Sequence, residues 1–433
     1  MFLFRKFNPT IIVAKLIIFF VFQFLLFSGC DKINATNDSK TSECTDTIGC
    51  VYLNEGEPFK IAVLQALSGD IAPLGQEQIR GLELAMERWN NTIANHPISL
   101  QIEDSGCTPE GGANAALKVI ADPQTIAIFG TTCSGSAVTA SKIMSKAGLT
   151  MISGNNSAQF LTSVNGKRAT HWQAGYFRTA ANDEHAGKAA AIFAWHELKV
   201  KKAATINDGD IYTTGMTIGF INAFKQLGGD VVLDAAINKG DKEMQPVIEA
   251  VKLSGAEFVF FPLFQPEGNH LLIQAKKTAG MEKIIMMTDG ALIENSFIQS
   301  VKDYGKGVYF VGPSYCRGIG TNNIKVSYTK KYGEFPSTSY YLCAFDAAML
   351  LFKAIEAASS KEKDGTLRIG RQALRDALYH GREIEGVSGS LNCDLFGDCA
   401  YPVFNVLRLD EPNGGVEALQ SNVIFVYNPN TSE

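Results

Sequence analysis

The chain is poor in the residues and patterns that most catalysis needs. Six histidines are scattered through 433 residues, and there are only three tryptophans. No Walker loop, Gly-x-Gly-x-x-Gly or His-Glu-x-x-His occurs, which leaves phosphate cradles, dinucleotide turns and zinc protease helices without a basis. Gly386-Val-Ser-Gly389 falls short of the Gly-x-Ser-x-Gly elbow. No Cys-x2-Cys or His-x3-His pair offers zinc its usual spacing. Asp208 and Asp210 lack the spacing and final Glu of a calcium loop and read as a structural turn. Ser134 has no base in view. The expectation is a binding protein rather than an enzyme, with no catalytic residue, cofactor or metal.

Long apolar runs are also scarce, with one exception at the N-terminus. Arg5, Lys6 and Lys15 precede the stretch Leu16–Phe27, apolar apart from Gln23, and Ser28-Gly29-Cys30 follows. A basic start, a short apolar core and small residues at the end form a secretory signal, residues 1–29. The ending resembles a bacterial lipobox, which implies cleavage before Cys30 and lipidation of Cys30. No other stretch approaches the ~18 apolar residues that a second span needs. Losing the signal removes three of 39 basic residues and none of the 44 acidic ones. An acidic exported body is a poor partner for nucleic acid.

Residues 30–57, rich in Asn, Thr, Ser and Asp, read as a polar tether, with the body starting at Pro58. Cys30 set apart, eight cysteines remain, an even set that suggests disulfides outside the cytoplasm. Proximity favours Cys44–Cys50 and Cys393–Cys399. Spacing leaves the rest open.

From Pro58 onward apolar strands alternate with amphipathic helices. Expected strands fall at 60–65, 98–102, 126–129 and 149–152, then at 203–206, 231–233, 258–261 and 283–287. Helices are expected between them, and a third block starts at Gly307. This alternation argues for an α/β fold, with parallel sheets covered by helices on both faces.

In such sheets ligands sit at the carboxyl ends of strands. Four turns there carry polar groups: Ser134, Asn155–Ser157, Asp208–Tyr212 and Thr288-Asp289-Gly290. Ser134 opens a helix, where free N–H groups and the dipole favour an anion. Asp289 follows a buried run and, in a cleft, needs a cationic partner. Together the turns suit a small zwitterion, carboxylate by Ser134 and ammonium by Asp289.

KIAVLQALSGDIAPLG, EDSGCTPEGGANAALKVI, IFGTTCSGSAVTAS with GLTMISGNNS, YFRTAANDEHAG, INDGDIYTTG, FVFFPLFQPEG and SGSLNCDLFGD occur in that order. In them, from about Phe59 to Leu409, the chain resembles the periplasmic leucine/isoleucine/valine-binding proteins, type I substrate-binding components of ABC importers. The resemblance implies two Rossmann-like lobes joined by three crossovers, near Arg178, Gly307 and Ala400. Lobe I would comprise 58–178 plus 308–400, and lobe II 179–307 plus 401–433. It implies a Cys107–Cys133 disulfide. It places carboxylate-binding hydroxyls at Ser134 and Ser157, an aromatic hydroxyl at Tyr212 and the ammonium's acid at Asp289. Leu74 and Phe264 fall at wall positions and Asn155 at a backbone-binding turn, while Gln65 replaces a small residue near the end of the first strand.

The expectation is therefore a lipid-anchored monomer on the outer face of a bacterial membrane, periplasmic or at the cell surface. It would capture a branched-chain or other small α-amino acid for an ABC permease. The alternatives are the same fold binding an amide, urea or small carboxylate, or serving as the sensing module of a membrane receptor.

Overall fold

The strand Phe59–Gln65 shows how the first half of the body is built. Ile61 and Val63 belong to one buried cluster, Ala62 and Leu64 to another. Neighbouring side chains on a strand point to opposite faces. Both faces are covered, so the strand reads as a continuous apolar run and not as an alternation. The computed structural model containing it describes residues 43–314 and 320–430. The signal, Cys30, the first part of the tether and Cys316 lie outside the described residues.

Two sheets organise the body. The first has six strands in the order Thr92–Ile93, His96–Asp104, Phe59–Gln65, Thr125–Gly130, Thr150–Ser153 and Tyr176–Arg178. All but the Thr92–Ile93 edge pair in parallel. The second has seven, in the order Asp230–Ala236, Lys202–Asn207, Phe258–Phe260, Ile285–Asp289, Tyr309–Pro313, Phe404–Arg408 and Val423–Tyr427. Its last two strands are antiparallel. This is the two-lobed α/β architecture expected from the sequence.

Two boundaries differ from that expectation. Tyr309–Pro313 pairs in parallel with Ile285–Asp289, so the chain leaves the second sheet after Pro313 and not near Gly307. The apolar run at 308–311 completes that sheet, and local pattern does not say which sheet a strand joins. Residues 44–57 also belong to the folded body. Cys50–Leu53 pairs with Leu367–Gly370. The Asp46 carboxylate accepts the backbone N–H groups of Gln372 and Ala373 at 2.9 and 3.0 Å. It thereby caps the helix Arg371–Tyr379, whose own N-terminal residue has no capping side chain.

The first and third crossovers are clasped together. Arg178 has no solvent exposure, and its guanidinium donates to Asp398, to Ala158 O at 2.8 Å and to Thr162. Backbone bonds from Arg178 N to Gly397 O and from Cys399 N to Arg178 O flank the ion pair, both 2.9 Å. The Cys393–Cys399 disulfide closes that loop, and Cys44–Cys50 and Cys107–Cys133 are also formed.

Candidate functional site

The turns chosen from sequence converge on a cleft between the two sheets. Leu74, Thr132, Cys133, Ser134, Asn155, Ser157 and Tyr340 line it from the first lobe, and Tyr212, Phe264 and Ala291 from the second. The free space left among them is about 20 Å³. The lobes touch beyond it, with Gln159 Nε2 donating to Gly215 O at 2.6 Å and Gln420 Nε2 to Ser339 Oγ at 2.8 Å. Gly135 and Gly290 permit this approach. A Cβ at 135 would stand 3.0 Å from Asp210 Oδ2, and one at 290 only 2.6 Å from Tyr340 Oη.

On the first lobe, Ser134 opens the helix Ser134–Lys146, whose N-terminal residue Cys133 offers no side-chain cap. The first N–H groups are thus left for a ligand or water. Ser134 Oγ accepts from Ala158 N at 3.2 Å, so its own proton stays available to donate. Cys133 is bridged to Cys107, which fixes this turn. Asn155 is held from both sides: its Nδ2 donates to Thr132 O at 2.9 Å and its N–H to Ser153 Oγ at 3.1 Å. Gln65 stands one layer behind the cleft and not in its wall. It ends its strand fully buried, with Oε1 accepting from the Thr132 hydroxyl at 2.7 Å.

On the second lobe, Tyr212 lies in the first turn of the helix Ile211–Gln226, capped by Asp210 Oδ1, which accepts Tyr212 N at 2.9 Å. The rings of Tyr212 and Phe264 lie 5.1 Å apart. Asp289 ends the strand Ile285–Asp289 and is fully buried. It accepts the Tyr212 hydroxyl and, at 3.1 Å, Ala291 N. Burial pushes its carboxyl up to about 6, against the Tyr212 bond, which lowers it.

Sequence reasoning passed over a second acid. Asp183 is buried, and its Oδ2 has no hydrogen-bond partner. Burial raises it to about 7, the Ser157 hydroxyl and Arg178 pull it down, and Asp289 pushes it up further. Its signal was faint: an acid just beyond a crossover, after the small residues Thr179–Asn182. Tyr340 was missed because it reaches the first lobe from a helix that begins far along the chain. Among the described residues lining the cleft there is no Lys or Arg. The nearest cations are committed, Arg178 to Asp398 and Lys239 to Asp210. Two buried carboxylates at a cleft without a cation of its own favour a ligand that brings one.

These acids also set a pH dependence. Asp183 and Asp289 are joined by two more buried acids. Burial raises Glu77 to about 7 against a Tyr328 bond, and Asp346 to about 6 against a Ser388 bond. A carboxyl with its folded pKa above its unfolded one contributes stability below the unfolded value and loses it as pH rises through the folded value. Carboxylates held low, such as Asp46 and Asp122, work in the opposite sense only in more acid solution. The unligated chain is therefore expected to melt at a higher temperature at pH 6 than at pH 8. A flat or inverted profile in calorimetric scans over that interval would contradict the burial of these acids.

A two-lobed fold with a polar cleft, a helix start on one side and buried acids on the other defines a solute-binding protein. A family model, Periplasmic binding protein, matches residues 58–395. The chain belongs to that family, a family of exported substrate-binding proteins of the ABC-transporter type. It is 27% identical over 350 residues to a leucine-, isoleucine-, valine-, threonine- and alanine-binding protein of Pseudomonas aeruginosa, covering 80% of this chain and 88% of that protein. It is 25% identical over 364 residues to Leu/Ile/Val-binding protein homolog 3 of Brucella melitensis, covering 81% and 91%. Among solved structures, a leucine-binding protein from Thermotoga maritima superposes with a TM-score of 0.73 at 22% identity, covering 86% and 99%. A benzoate complex of a solute-binding protein from R. palustris gives 0.71 at 20%, covering 87% and 98%. These relatives are binding proteins of transporters, not enzymes. No helix among the described residues is long and apolar enough to cross a membrane.

Proposed function

We propose that this chain is a lipid-anchored receptor that captures a small α-amino acid outside the cell and delivers it to an ABC import permease. In this reading Cys30 carries the lipid and the protein works as a monomer. The observation that carries it is the polarity of the cleft. The Ser134 helix start and the Ser157 hydroxyl offer donors to a carboxylate, and Asp289, with Asp183 close by, offers an acceptor to an ammonium. Leu74 and Phe264 bound the side-chain space, with Asn155 and Tyr340 adding polar edges. Tyr212, now on Asp289, would shift its hydroxyl toward the ligand.

Calorimetry against the standard amino acids, with amides, urea and benzoate in the same panel, tests the reading. At least one amino acid is expected to bind well below ~1 mM, and none doing so would sink it. Since the ammonium requires an ionised acid, affinity should fall as pH drops below about 6. The relatives solved with benzoates favour a second reading, an aromatic carboxylate packed against the paired rings of Tyr212 and Phe264. That ligand has no ammonium, and its affinity should rise, not fall, as Asp289 is protonated.

A further inference from the structure

The first lobe holds a second concavity that shares no lining residue with the cleft. It is a groove of about 240 Å³ between the helix Tyr340–Ala358 and the segment from Ala377 to Cys393. Its floor is apolar. Ala354, Leu378 and Leu391 are exposed by only 4%, 3% and 1%, and Leu350 adds to them. Lys353 and Arg382 also line it, and both are exposed. The ion pairs and hydrogen bonds among the described residues include neither side chain, although the chain carries 44 acidic residues against 39 basic ones.

We propose that this groove is a second ligand site, taking a small amphipathic anion: a carboxylate on an aliphatic or aromatic body. The apolar floor gains by shedding water onto an apolar body. The two long cationic side chains can lay their stems along that body and keep their charges at its anionic end. Arg382 adds a planar fork that suits a carboxylate. The volume lies just under the ~300–1,000 Å³ of drug-sized pockets, so the ligand is fragment-sized. An α-amino acid is a poor fit, because its ammonium would sit beside two cations. The groove therefore selects a different class of solute from the cleft.

The test is calorimetric titration of the mature chain with octanoate at low ionic strength. Binding tighter than ~1 mM is expected. Lys353→Ala/Arg382→Ala should weaken it at least tenfold. Ala357→Phe, placed at an exposed position of the groove wall, should do the same by filling the groove while both cations remain. Asp289→Asn, which acts on the cleft, should leave octanoate binding unchanged, and octylammonium should not bind. The proposal is overturned if wild type does not bind octanoate, if either groove variant binds it as tightly as wild type, or if Asp289→Asn changes octanoate affinity in either direction, since a carboxylate held in the cleft would bind more tightly once that acid is neutral.

Discussion

Asp289→Asn is expected to lower affinity for the proposed amino-acid ligand by about 100-fold or more, the largest effect of any single change in the cleft. A hydrogen bond to a charged group is worth about 1.5–3 kcal/mol, and removing one partner of a buried ion pair costs about 3–5 kcal/mol. The substitution is nearly isosteric. The carbonyl of Asn can still accept Ala291 N and the Tyr212 hydroxyl, which hold Asp289 now. Burial already makes the charged form costly in the folded chain, so a neutral amide should not lower the melting temperature of the unligated protein near pH 7.5. Calorimetry and thermal melting read the two effects separately. Undiminished affinity in a variant that melts normally would remove Asp289 from the site, and binding of an aromatic carboxylate that survives the change would favour the second reading.

Arg178→Leu should destabilise the fold by about 3–5 kcal/mol. Leucine fills part of the space, but Asp398 keeps its charge and loses its ion-pair partner. What remains around it are the hydroxyls of Thr162 and Ser163 and the amide of Asn182. Ala158 O also loses its guanidinium donor. Because the pair ties two crossovers together, the damage should spread to both lobes. A clear fall in the urea midpoint is the expected reading. A midpoint within error of wild type would mean that the backbone bonds at Gly397 and Cys399 suffice. Asp398→Asn, which keeps an acceptor for Arg178 and strands no charge opposite it but the guanidinium, tests the same clasp from its other end.

The sequence disclosed most clearly what is local. Ile61 to Leu64 declare a strand covered on both faces, and Ser134, Asn155, Ser157 and Tyr212 sit in turns at strand ends, where a parallel sheet puts its ligands. Six of the eight residues chosen for the site line the cleft, and Asp289 stands directly behind Tyr212. Contacts between distant segments were hidden. Tyr340 enters the cleft from a helix that no local signal assigns to either lobe. Asp183 comes within reach of Ser157 and Asp289 only through the tertiary fold, where the chain turns after the crossover. The polar composition of residues 44–57 concealed a strand whose partner lies over 300 residues away. Gln65 had the right address at the end of a strand, but Thr132 holds it one layer back.

That early strand has a mechanical consequence. Through the Cys44–Cys50 bridge, the pairing of Cys50–Leu53 with Leu367–Gly370 and the Asp46 cap, the start of the folded body is riveted to the first lobe. Any pull arriving along the N-terminal chain is delivered to that lobe alone. If the halves turn about the crossovers, as the proposed capture of a ligand requires, the first lobe is then the stator and the second the rotor. If the chain is tethered as proposed, the second lobe can open and close without dragging the leash.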